Sequence, residues 1–164
     1  MPGTLAYRNL ALRVVAAATK MIGNAECEPS PALEELEAQT VSAVGEAFNN
    51  IAIHAYKGVA PGEIDVLIES DAERVVVEMT DTGASFDPST VAVPELDELP
   101  ENGMGLFIIR SFMDEVTYAA GPPKNVLRLV KRRAPGPEPR LQDGASEAEV
   151  TVETGAKRAT ADDP

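Results

Sequence analysis

Three groups of residues in this chain are of the types, and at the spacings, that can do chemistry. Glu46, Asn50 and His54 follow one another at single helical turns. Asp81 closes a β-branched run with Gly83 two residues on, and Gly103-Met104-Gly105-Leu106 opens a strongly apolar stretch. A carboxylate at a strand end accepts a hydrogen bond from an exocyclic amine such as that of adenine, and a neighbouring glycine lets a flat base come near the backbone. A glycine loop at a helix start offers bare N–H groups at the positive end of the helix dipole, where phosphate binds. Taken singly, each group has a commoner explanation: a polar helix face, an ordinary Asp-x-Gly turn, a loose loop. In this order along one chain they describe a nucleotide site.

The elements that must position them are legible around them. Residues 31–56 repeat Leu33, Leu36, Val44, Phe48, Ile51 and Ala55 at helical spacing behind Ser30-Pro31, an N-cap followed by proline in the first turn, and Gly58 marks the stop. Asn49-Asn50 inside that helix costs several tenths of a kcal/mol, because the side-chain amides compete for backbone hydrogen bonds, so something must compensate. Residues 64–68 and 74–80 read as a hairpin across Ser70-Asp71-Ala72-Glu73, delivering Asp81 at its end. Leu106, Ile108, Ile109, Phe112 and Met113 make a helix running to Asp114, and further strands are expected at 116–119 and 126–130. A first helix covers 5–22, carrying Arg8 and Arg13, either solvated or at a partner surface. Between the second strand and the third helix, residues 89–102 are acidic and hold two prolines, which argues for a lid or a solvated loop over a helix. The expected class is α+β: a two-layer α/β sandwich of three helices over a mixed sheet.

Together the three groups resemble the N, G1 and G2 boxes of the GHKL superfamily with its Bergerat ATP-binding fold, and within it the bacterial anti-sigma factor serine/threonine kinases. The resemblance spans roughly residues 5–132 and includes Ser111-Phe112-Met113-Asp114-Glu115-Val116 after the glycine loop and Ala55-Tyr56 after the first box. It implies an ATP-dependent protein kinase that phosphorylates a serine on an anti-anti-sigma (STAS-domain) protein and sequesters a sigma factor, with self-association into a homodimer. It further implies that Asn50 ligates Mg²⁺ and that Asp81 and Gly83 meet adenine. Gly103, Met104, Gly105 and Leu106 would hold the phosphates, and Glu46 would act on the attacking hydroxyl. With a turn between them, Glu46 and Asn50 can face the same terminal phosphate. His54 either walls the site or bonds a neighbouring carbonyl. Two positions depart from the family pattern: Ser85 stands where many relatives have a second glycine, and Pro122-Pro123-Lys124-Asn125 replaces a Gly-Thr pair, so that threonine's contact does not carry over. The alternative reading is a non-catalytic ATP-binding module that switches a partner without phosphotransfer.

Composition bounds the rest. With 164 residues, 44% of them hydrophobic, the chain can bury one core. Its net charge of −13 makes nucleic acid an unsuitable partner, and a polyanionic ligand would need Mg²⁺ and the helix terminus for neutralisation, since the boxes hold no lysine or arginine before Arg110. Cys27 is the single cysteine, which excludes an intramolecular disulfide. No apolar run is long enough for a membrane span, so a cytoplasmic location is expected. The domain is expected to occupy 1–133. From Ala134 apolar periodicity stops at Pro135-Gly136-Pro137-Glu138-Pro139, and residues 134–164 read as a disordered acidic tail. Truncation after Arg133 should therefore leave the melting temperature and ATP affinity almost unchanged, and a large drop in melting temperature on scanning calorimetry would show instead that the tail docks on the domain.

Overall fold

A computed structural model of the chain describes residues 1–22, 30–85 and 104–134. The expected lid, Gly103, Cys27 and residues 135–164 lie outside the described residues.

Helix α2 (Pro31–Asn50) is the element on which the sequence is most explicit. Ser30 Oγ accepts the Leu33 N–H at 3.3 Å, and Pro31 occupies the first turn, where its missing N–H would have had no partner anyway. One stripe of the helix, including Leu36, Val44, Ala47 and Phe48, is buried. The regular helix does not run to residue 56 as its periodicity predicts. Ile51–Ala55 winds a π-turn, a wider form found chiefly at functional sites, and Gly58, at φ +79°, ends the segment.

Helix α1 (Arg8–Thr19) is entered by a 3₁₀ turn at Leu5–Tyr7 and is shorter than the predicted 5–22. It buries Ala11, Val15 and Thr19. Arg8 is packed as well as charged: its Nε donates to the Gly45 carbonyl at 3.4 Å, and a Cβ on Gly45 would stand 2.6 Å from Arg8 Nη2.

The strands are β1 (Ile64–Ser70), β2 (Arg74–Asp81), β3 (Glu115–Ala119) and β4 (Asn125–Arg132), in the spatial order β1-β2-β4-β3. Every neighbouring pair is antiparallel, which corrects the expected mixed sheet. Helix α3 (Met104–Phe112) lies between β2 and β3 in the chain. β2 and β3 point the same way, but β4 lies between them and removes the one parallel ladder that the connection would have made. In the β1–β2 turn, Asp71 Oδ1 accepts the N–H groups of Glu73 at 2.8 Å and Arg74 at 3.0 Å. Chiefly through the Glu73 bond, the carboxyl of Asp71 is held below its ordinary range. The first residues also pair, although the sequence left little room for an edge strand: Pro2 bridges Glu63, and the Met1 carbonyl accepts the Ile64 N–H at 2.8 Å.

These elements form the expected α+β two-layer sandwich. α1 covers β1 and β2, α2 packs between its two neighbouring helices and on β4, and α3 covers β3. Phe48, Val44, Ile64, Met79, Ile109 and Leu129 meet in the core. Tyr56, at the end of the π-turn, ties the helical layer to the strand ends: its hydroxyl donates to the Glu63 carbonyl at 3.0 Å and accepts the Thr82 N–H at 3.3 Å. Tyr56→Phe keeps the ring but leaves both backbone groups without that partner, so it should lower stability by about 1–2 kcal/mol in urea denaturation.

Candidate functional site

The buried stripe of α2 faces the sheet, and this rotation leaves Glu46 and Asn50 on an adjoining stripe turned toward α3. The first turn of α3 comes to them closely. A Cβ built on Gly105 would lie 2.9 Å from Glu46 Oε2 and 3.6 Å from Asn50 Oδ1, so the two polar groups converge on one point of the α3 backbone. A side chain there would displace the Glu46 carboxylate from its present place. Leu106 is nearly buried behind Gly105, whereas Met104 is 41% exposed at the entrance.

The strand end is brought to the other end of the same helical segment. Gly83 lies against the π-turn, where a Cβ would be 2.6 Å from the Ala55 carbonyl oxygen, and Ala84 N–H donates to that oxygen at 2.8 Å. Glycine is therefore required here for contact with Ala55, on a side of the backbone taken up by protein. Its polar groups serve the neighbouring carboxylate: Gly83 N–H donates to Asp81 Oδ1 at 2.7 Å. Asp81 is 4% exposed, and its Oδ2 has no partner among the described residues. No buried side-chain oxygen or nitrogen lacks a hydrogen bond among the described residues, so Oδ2 is open to the space in front of it.

That space is a cavity of about 640 Å³. Glu46, Asn50 and His54 line it from the α2 side, Asp81 from the sheet, and Gly105 and Leu106 from α3. Ile53, Ile108, Ile109, Tyr118 and Leu127 make the remaining wall largely apolar. A mostly apolar cleft with a few converging polar groups is the usual form of a small-molecule site. From Glu46 to Ala55 the helical segment extends on the order of 10–13 Å at the ordinary rise per residue, with Gly105 against one end of it and Gly83 against the other. His54 is exposed at the rim, which places it on the wall as one of the two sequence readings has it.

The charge of this cavity is one-sided. Glu46 and Asp81 line it, and no lysine or arginine does so among the described residues. No group of three or more histidine, cysteine, aspartate or glutamate side chains suited to a metal occurs among them either. A polyanion can enter such a cleft only together with a cation, and a cation there must draw most of its ligands from the polyanion itself. Mg²⁺ would fit in that sense, with the Asn50 carboxamide oxygen as a hard oxygen ligand close to a helix start.

Of the residues singled out from sequence, Glu46, Asn50, Gly105 and Leu106 come together at one end of the cleft, with Met104 at its mouth. Asp81 and Gly83 lie together at the other end, and Gly103 is outside the described residues. One residue was missed. Asn125, 2% exposed, donates from Nδ2 to Asp81 Oδ1 and to the Gly83 carbonyl, both at 3.0 Å. The sequence showed it only within the Pro122-Pro123-Lys124-Asn125 segment that replaces the family's Gly-Thr pair, and its place opposite Asp81 becomes evident only with the β2–β4 register.

Comparison with known proteins agrees with this geometry. The family described as histidine kinase-like ATPase domain matches residues 6–131. Serine-protein kinase RsbW of Bacillus cereus (strain AH187) is 36% identical over 83 residues, covering 45% of this chain and 51% of that protein. Serine-protein kinase RsbW of Bacillus anthracis (strain CDC 684 / NRRL 3495) matches to the same extent. The chain thus spans about half the length of the curated relatives it matches. A solved histidine kinase domain, from the Erythrobacter litoralis EL346 blue-light activated histidine kinase, shares the fold at a TM-score of 0.50 and 18% identity, over 78% of this chain and 60% of that one. With a match across most of its length and the boxes assembled around one cleft, this chain belongs to the histidine kinase-like ATPase domain family.

Proposed function

We propose that this chain is an ATP-dependent protein serine/threonine kinase and anti-sigma factor that acts on a serine of a STAS-domain anti-anti-sigma protein and sequesters a sigma factor in the cytoplasm. The observation that carries the reading is the convergence of Glu46 and Asn50 on the backbone of Gly105. A base, a metal ligand and a helix start meeting at one point are what transfer of a terminal phosphate requires. The names of the RsbW relatives agree with the reaction class.

Asp81 Oδ2 accepts the adenine amine, and the apolar wall of Ile53, Ile108 and Leu127 sandwiches the base. Asn50 Oδ1 holds Mg²⁺ while the α3 N–H groups and Gly105 bind phosphate oxygens. Bound there, Mg²⁺ would supply charge neutralisation for the phosphates. Glu46 orients the substrate serine hydroxyl and takes its proton as the serine Oγ–phosphorus bond forms and the bond to the ADP oxygen breaks. Because the lining carries two carboxylates and no basic side chain among the described residues, dependence on the metal is strict.

Two experiments test this. Calorimetric titration should show Mg²⁺-dependent ATP binding by the chain, weakened by Asn50→Ala; Asp81→Asn should lower the preference for adenine over guanine nucleotides, and absence of ATP binding by the wild type would end the proposal. Glu46→Gln preserves shape while removing proton acceptance, so transfer of labelled phosphate to a co-encoded STAS-domain protein should fall by about 10²–10⁴, with ATP affinity nearly unchanged. A wild type that binds ATP and a sigma factor but transfers nothing to such a partner is the non-catalytic module.

A further inference from the structure

Asn125 opens β4 directly opposite Asp81, the last residue of β2. Its side chain is enclosed, and its Nδ2 bridges two acceptors, Asp81 Oδ1 and the Gly83 carbonyl, each at 3.0 Å. Since both neighbours can only accept, the amide orientation is fixed by chemistry: the NH₂ end alone satisfies them. Gly83 N–H donates to the same Oδ1 at 2.7 Å. Asp81, Gly83 and Asn125 thereby close a three-membered network in which one carboxylate oxygen is used twice and the other is left facing the cleft.

We infer that Asn125 is a positioning residue for base recognition, locking the Asp81 carboxylate with Oδ2 toward the ligand and so setting the preference for a purine with an exocyclic amine over one with a carbonyl at that position. The inference rests on the adenine reading above. An aspartate carboxylate turns readily about its terminal torsion, which is broad. An unlocked Asp81 could turn its edge away or take a water between itself and a carbonyl-bearing base. A locked, unshared acceptor cannot; a carbonyl placed against it is unpaired and repelled, and discrimination follows from that unpaired contact. The asparagine supplies two N–H donors from one rigid plane, so it clamps strand end and loop together, where a hydroxyl in its place would supply one.

The test uses the full chain, Mg²⁺, and two nucleotides, ATP and inosine triphosphate, which differ in the base at the amine position. Asn125→Leu should weaken ATP binding by about tenfold or more and bring the ATP-to-ITP affinity ratio toward one, while Asn125→Thr should recover part of both. Asn125→Asp sets a second carboxylate against Asp81. At low pH a proton shared by the pair replaces the lost donor and ATP affinity approaches wild type; as pH rises the pair becomes doubly charged and affinity falls. Glu46, His54 and Tyr118, the other titratable groups lining the cleft among the described residues, are common to both proteins, so the wild-type pH profile is the control. A folded Asn125→Leu variant, by circular dichroism, with the wild-type ATP-to-ITP ratio overturns the positioning role. Should that variant not fold, an Asn125→Asp profile parallel to wild type overturns it equally. A wild type that binds no ATP brings down the adenine reading and the inference with it. That outcome is distinct from a wild type and variants that discriminate alike.

Discussion

The rotation of α2 about its own axis governs the site, because the helix carries its core stripe and its chemical stripe on adjoining faces. Burial of Phe48, Val44 and Leu36 contributes roughly 1.5–3 kcal/mol for each large side chain, and that energy resists any turn of the helix that would bring them to water. Glu46 and Asn50 follow passively: once the apolar stripe is seated on the sheet, they lie on the stripe beside α3. The unfavourable propensity of paired asparagines in mid-helix is small beside this, which explains how the sequence tolerates them.

The two ends of the cleft are built differently. At Gly105 a helix start meets side chains of another helix, and precision comes from the absence of a Cβ. At Asp81 a strand end meets a loop and a neighbouring strand, and precision comes from hydrogen bonds to one carboxylate oxygen. Such a division suits a ligand with a flat, neutral end to be recognised and a charged end to be attacked.

Much of this was legible in the sequence. Ser30-Pro31, the 3.6-residue repeat and Gly58 located α2, and β-branched runs located the strands, because those signals are local. The all-antiparallel sheet was not, since strand order depends on which ladder forms across the long β2–α3–β3 connection and no local residue reports it. The π-turn at Ile51–Ala55 escaped as well: no residue in it marks a departure from the regular helix, and its last carbonyl, at Ala55, accepts the Ala84 N–H from a distant loop. Glu46, Asn50 and Asp81, singled out from type and spacing, line one cleft, whereas the contact of Asn125 could not be read, since it is made with a partner 44 residues earlier in the chain.

The place of β4 between β2 and β3 has a consequence for biogenesis. Until the ribosome has released the residues of this last strand, β2 and β3 each present a bare edge, with unpaired amides exposed to any other extended chain. Asp81 is synthesised early but acquires its full set of partners only when Asn125 arrives with that strand. The nascent chain therefore cannot close the Asp81–Gly83–Asn125 network before then. Closure of that network becomes a sign that the sheet is complete.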